Sequence, residues 1–160
     1  MDVLRLPRRL PLALAFTLAL LVLPPPAWAQ RDLYWADLDV DATLTADGAL
    51  RITETHTMVF TGDWNGGERI FNVRPRQSIA LIELARSVDG GWRALTEDDG
   101  LDDRDEYAWT DRQTLRWRSR LPADAPFRNQ PIRYRLRYEL RRVLVESGGT
   151  YQLDHDFLFP

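Results

Sequence analysis

A carboxylate and a guanidinium are the first residues in this chain whose types and spacing could do chemistry. Glu54 alternates with Ile52, His56, Met58 and Phe60 along a Thr-, Ile- and Val-rich stretch. A carboxylate on an apolar face needs a partner, because an isolated buried charge is costly. Arg69 follows the Gly-rich segment Thr61-Gly62-Asp63-Trp64-Asn65-Gly66-Gly67 and carries the fork that matches a carboxylate. Two readings follow. Glu54 and Arg69 form a structural ion pair that fixes the loop, or the loop presents Arg69 to a ligand.

Other candidates are weighed on the same terms. His56 and His155 are the only histidines. A two-His metal site would need both, with a carboxylate such as Asp154 or Asp156. A hundred residues separate them, so His56 reads as a hydrogen-bonded core residue and no metal is expected. Residues 97–106 hold five Asp and two Glu around Gly100. Calcium takes oxygen ligands, but the register of a calcium-binding helix–loop–helix is missing, so the run reads as solvated. Arg133, Arg135, Arg137 and Arg141 share one face of a strand, as do Arg116, Arg118 and Arg120 on another. If those strands paired, like charges would face one another. The stripe reads as a solvated face or as a surface for an envelope protein or anionic lipid head groups. Trp64, alone in the Gly-rich loop, is the aromatic residue best placed to grip a ligand; core packing explains most of the others. Ser78, Ser87, Ser119 and Ser147 stand in no nucleophile elbow.

Composition removes further chemistries. The 160-residue chain has 21 basic residues, every one of them Arg, and no Cys. Without Lys there is no phosphate-loop lysine and no Schiff base. Without Cys there is no thiol nucleophile, thiolate zinc site or disulfide. A net charge of −3 argues against general nucleic-acid binding. No cofactor is implied.

These residues must be positioned by elements, and the first 29 residues are excluded from them. Arg5, Arg8 and Arg9 precede the apolar run Leu10 to Leu23, then Pro24-Pro25-Pro26 and Ala27-Trp28-Ala29. That is the layout of a signal peptide, cleaved before Gln30. The expected organisation is a signal peptide over 1–29 and one exported domain over 30–160, in the periplasm or on the extracytoplasmic face of a bacterial membrane.

From residue 30 onward the dominant period is two. Leu38, Val40, Ala42 and Leu44 alternate with polar residues as a half-buried strand. Ala46-Asp47-Gly48 turns into Leu50 to Phe60. Ile70 to Val73 reads as a short strand, and Ile79 to Val88 as a strand or short helix returning through Asp89-Gly90-Gly91. Residues 97–106 and Leu121 to Pro131 read as loops, the second with three prolines. Tyr107 to Trp109 and Leu115 to Trp117 are short strand pieces. Ile132 to Leu144 is the clearest strand, with Ile132, Tyr134, Leu136, Tyr138 and Leu140 on one face. Gly148-Gly149 turns into Tyr151 to Phe159. About eight short strands and no amphipathic helix predict an all-β chain, an antiparallel β-sandwich of two immunoglobulin-like layers. The apolar run Phe157-Leu158-Phe159-Pro160 suggests that the native chain continues, since an exposed aromatic edge invites pairing with other molecules.

The order of features resembles a known family. Tyr34-Trp35 in a first strand, Asp47-Gly48-x-Leu50-x-Ile52-x-Glu54 through Phe60-x-Gly62, then Glu68-Arg69-Ile70 and Ile132-x-Tyr134-x-Leu136-x-Tyr138, are similar to the N-terminal extracytoplasmic domain of predicted bacterial membrane proteins grouped as domain of unknown function 2207. The resemblance implies location and architecture, with transmembrane helices downstream, and supplies no catalytic residues. The expectation is a non-enzymatic exported module for protein or envelope interaction. Its alternatives are a glycan or small-ligand module using the Trp64 loop, and an envelope hydrolase using Asp/Glu pairs.

Overall fold

In the computed structural model, Arg31–Leu153 and His155 are described. The expected signal peptide over 1–29, together with Gln30, Asp154 and residues 156–160, lies outside the described residues. Eleven strands and no helix are found among those described.

The larger sheet has five strands in the order β1 (Asp32–Leu44), β2 (Leu50–Gly62), β9 (Phe127–Arg141), β4 (Ser78–Val88) and β5 (Gly91–Ala94). The smaller has four, in the order β3 (Gly66–Ile70), β8 (Thr114–Arg118), β7 (Glu106–Trp109) and β6 (Thr96–Glu97). A separate hairpin joins β10 (Leu144–Ser147) to β11 (Thr150–Leu153). Pairings are antiparallel except β6 with β7, which run parallel.

β9 shows why the sheets stack. Tyr134, Leu136, Tyr138 and Leu140 point inward and are buried, while Arg133, Arg137 and Arg141 stay exposed. The inward set meets the smaller sheet through rings, Trp117 against Tyr134 at 5.2 Å and Phe71 against Tyr138 at 4.9 Å. Such ring pairs add about 0.5–1.5 kcal/mol beyond the area they bury. Leu50, Ile52, Met58 and Phe60 of β2 and Leu84 of β4 complete the core.

Several sequence expectations are corrected. β1 is half-buried only in part: Leu38, beside His56, is half-buried, but Val40, Ala42 and Leu44, which face inward beside Glu54, Ile52 and Leu50, are all exposed. β1 is the outermost strand of its sheet, and the core cluster draws no residue from it beyond the partly buried Leu33. The Gly-rich segment is not all loop, because β3 begins at Gly66 and ends at Ile70, displacing the strand expected over 70–73. Ile79 to Val88 is a strand. Part of the acidic segment pairs as β6. β9 starts at Phe127 and takes in Pro131, which the sequence placed in a loop. Proline is tolerated at a sheet edge, and β4 pairs β9 only from Arg141 to Tyr134, so Pro131 lies where β9 has one neighbour. The strand expected to run to Leu144 stops at Arg141, where Arg142 takes φ 59° and the chain leaves the sheet.

Candidate binding cleft and the buried Glu54 network

Glu54 lies in the middle of β2 with its side chain toward the smaller sheet, fully buried. Arg69 on β3 reaches it with two parallel bonds, Nη2 to Oε1 at 3.0 Å and Nε to Oε2 at 3.1 Å. The Tyr138 hydroxyl donates to Oε1 at 2.6 Å, and His56 Nε2 is 2.8 Å from Oε2. The Arg69 guanidinium also lies 5.1 Å from the Phe71 ring centre and donates to the Ile70 carbonyl. Burial pushes the Glu54 carboxyl up, but the bonds from His56, Arg69 and Tyr138 and the Arg69 charge outweigh it and hold the group at about 2. Burial and the neighbouring Glu54 charge push the Tyr138 hydroxyl far up, so it remains a donor. Every polar arm of Arg69 ends inside the protein, and the pair clamps one sheet to the other. Of the two readings of Arg69, the geometry carries the ion pair, with Arg69 only 3 % exposed.

The two Arg stripes belong to different sheets and never oppose each other. On β8, Arg116 pairs with Glu68 at 2.8 Å. Arg120, expected on an exposed face, is buried: it donates to the Trp64 carbonyl at 2.9 Å, to the Asp124 carbonyl and to Asp63. On β9, Arg135 donates twice to Glu83, at 3.0 and 2.8 Å, and stacks 4.6 Å from the Trp92 ring centre, with Arg133 at 5.6 Å. The acidic segment supplies turn acceptors and ion pairs: Asp98 takes the Gly100 amide, Glu106 the Asp103 amide, and Asp105 pairs with Arg86. His56 is committed to Glu54, and no group of three His, Cys, Asp or Glu among the described residues is placed to hold a metal.

Trp64 opens onto a cleft of about 620 Å³ at one end of the stacked sheets. Its walls come from β1 (Leu33, Trp35), β2 (Met58), the Gly66-Gly67 start of β3, and Trp117 and Arg118 of β8. The two glycines have a steric reason. A Cβ on Gly66 would come within 1.9 Å of the Trp117 carbonyl oxygen, and one on Gly67 within 2.5 Å of the Trp117 ring. Only glycine lets β3 pass this close to Trp117. Trp64 is held edge-on by its indole N–H, which donates to the Asp32 carbonyl at 3.0 Å, and Arg31 lies 4.1 Å from its ring centre. Trp35 stays 43 % exposed.

Arg118 is the electrostatic feature of this cleft. It is half-buried, its Nε is shut off from water, and no hydrogen bond or ion pair holds that nitrogen among the described residues. Its cross-strand neighbour Glu106 is turned toward the Asp103 amide. With Arg116 neutralised by Glu68, the cleft keeps the positive charges of Arg31 and Arg118 between aromatic walls.

Sequence reasoning singled out Trp64 and missed Trp35, Arg31, Arg118 and Arg120 as its neighbours. Arg120 carried a usable signal, an Arg just before Leu121-Pro122 at the end of a short strand, but its burial depends on a loop 56 residues away.

No curated protein and no solved structure matches the chain. The stacked all-β layers, the Glu54–Arg69 clamp on the Asp47–Ile70 stretch and the Tyr-alternating β9 are carried by residues that a family does match, over 35–158. The chain belongs to that family, the predicted membrane protein (DUF2207) N-terminal domain.

Proposed function

We propose that this domain is a non-enzymatic interaction module on the extracytoplasmic side of the membrane, and that its Trp35–Trp64 cleft binds an anionic envelope partner. The observation that carries the reading is Arg118, a half-buried cation with no ion pair among the described residues, set beside Trp35, Trp64 and Trp117. A carboxylate or phosphate entering the cleft would meet in Arg118 a cation that the described residues leave unneutralised. Ring faces beside a cation suit a ligand with a carboxylate or phosphate next to an apolar or sugar-ring face. The alternative hydrolase of the Asp/Glu type would use a pair of carboxylates; among the described residues this lining offers Glu68, which is paired with Arg116.

The test is Trp fluorescence of the purified chain titrated with polyglutamate, a soluble muropeptide, polyglycerol phosphate and neutral chito-oligosaccharide. Saturable quenching by acidic probes, weakened about tenfold or more in Arg118→Ala, supports the proposal. Equal response to the neutral sugar, lost in Trp64→Ala and unchanged in Arg118→Ala, favours a neutral glycan module instead. Hydrolysis of the muropeptide contradicts the non-enzymatic reading.

A further inference from the structure

The outer face of the five-stranded sheet carries an ordered charge pattern that the cleft does not use. Cross-strand partners point to the same face. The register therefore places Asp37–Thr57–Arg133, Asp39–Thr55–Arg135 and Asp41–Thr53–Arg137 in three successive rungs across β1, β2 and β9. An acidic ladder and a basic ladder run parallel, about 10 Å apart, with a row of threonines between. Asp37, Asp39 and Asp41 are exposed and have no ion pair among the described residues; Arg137 is exposed and likewise unpaired, and Arg133 has only the Trp92 ring.

Such a face is complementary to itself. Consider a two-fold axis between two copies, running along β2. It leaves position along the strand unchanged and exchanges left for right. The acidic ladder of each copy then lies over the basic ladder of the other, rung for rung: Asp37 over Arg133, Asp39 over Arg135, Asp41 over Arg137; Arg135 is already held by Glu83 of its own chain, so the Asp37 and Asp41 rungs carry the contact. A two-fold contact is isologous, so each pair occurs twice. Stacked sheets lie about 10 Å apart, a gap that an Arg side chain reaching toward an Asp spans. The short threonines along the axis let the layers approach without a clash. An axis across the strands would instead set Asp on Asp and Arg on Arg, so the pattern selects one arrangement.

From this we propose that the outer β1–β2–β9 face is a homodimer interface, joined by reciprocal Asp–Arg ladders. It is independent of the cleft, which opens on the opposite side of the larger sheet.

Charge reversal tests it on the full chain, exported and purified. Variant A is Asp37→Arg/Asp41→Arg; variant B is Arg133→Asp/Arg137→Asp. Both spare Arg135 and its Glu83 pair. Sedimentation is measured at about 10 mM salt, where the Debye length is about 30 Å, and at 1 M, where it is about 3 Å. The wild type is expected to dimerise at low salt and dissociate at high salt. A and B alone stay monomeric at both, and an equimolar mixture dimerises again, because every facing pair is once more opposite in sign. Circular dichroism of A and B establishes that each is folded, and restoration in the mixture itself requires folded partners. A monomeric wild type at low salt, a dimer that survives in A or B, or a mixture that stays monomeric overturns the proposal. Sedimentation of monomeric wild type with phosphatidylglycerol vesicles, abolished in B and retained in A, would assign the basic ladder to lipid and also overturn it.

Discussion

Replacing Glu54 by Gln keeps the shape of the buried network and removes its charge. Arg69 would then be a buried cation without a counter-ion, only 3 % exposed. Breaking one side of a buried pair costs about 3–5 kcal/mol, a large share of the roughly 5–15 kcal/mol by which domains are stable. The acid dependence gives a second, independent number. Glu54 is held at about 2 against an ordinary 4.5. Its folded-state value is depressed, so its contribution is complete above about 4.5 and is lost as pH falls toward 2. At about 1.36 kcal/mol per unit that is about 3 kcal/mol. Urea unfolding, followed by circular dichroism and Trp fluorescence from pH 7 to pH 2, reads both. The wild type should lose about 3 kcal/mol across the acid window that Glu54→Gln does not. Glu54→Leu/Arg69→Met should recover much of the loss at pH 7, because removing both charges leaves none stranded, although Tyr138 and His56 lose their acceptor. A Glu54→Gln penalty below about 1 kcal/mol, with acid profiles parallel to the wild type, would refute the clamp.

Tyr138→Phe removes a 2.6 Å bond to the same carboxylate; it should cost about 1.5–3 kcal/mol at pH 7 in urea unfolding and shift acid unfolding to higher pH, since Glu54 loses a bond that favours its charged form. Gly67→Ala should destabilise by about 1–3 kcal/mol, lowering the urea midpoint, because its Cβ overlaps the Trp117 ring. Gly66→Ala should cost more than Gly67→Ala in the same assay, because the obstacle is backbone. Arg120→Ala should release the Trp64 loop, seen as faster amide exchange over residues 63–66 and red-shifted Trp emission, while exchange in β9 stays unchanged.

What the sequence showed and what it hid divide along local and long-range physics. Strict alternation made β2 and β9 legible, because a strand buried on one face must repeat every two residues. The same rule misled for β1: Val40, Ala42 and Leu44 alternate as if covered, but whether a second layer reaches an outer strand depends on the width of the other sheet. Pairing Glu54 with Arg69 followed from desolvation cost alone, whereas its His56 and Tyr138 partners needed the register of β2 with β9. The two Arg stripes looked alike in sequence. Only topology separates them, sending one to the outer face of the larger sheet and folding Arg120 of the other beneath the Trp64 loop. Pro131 marked a loop in sequence and proved to be a strand residue because β9 is unpaired on one side there.

The proposal that the cleft is occupied in its native setting is tested most directly by oxidative footprinting of intact cells against the purified chain, read at Trp35. Trp35 is 43 % exposed in the cleft and Tyr151, on the separate hairpin, is 68 % exposed and serves as the reference. Trp35 should oxidise several-fold more slowly in cells than in the purified chain once both are scaled to Tyr151, and the protection should vanish in Arg118→Ala. Equal oxidation of Trp35 in both settings would contradict the account.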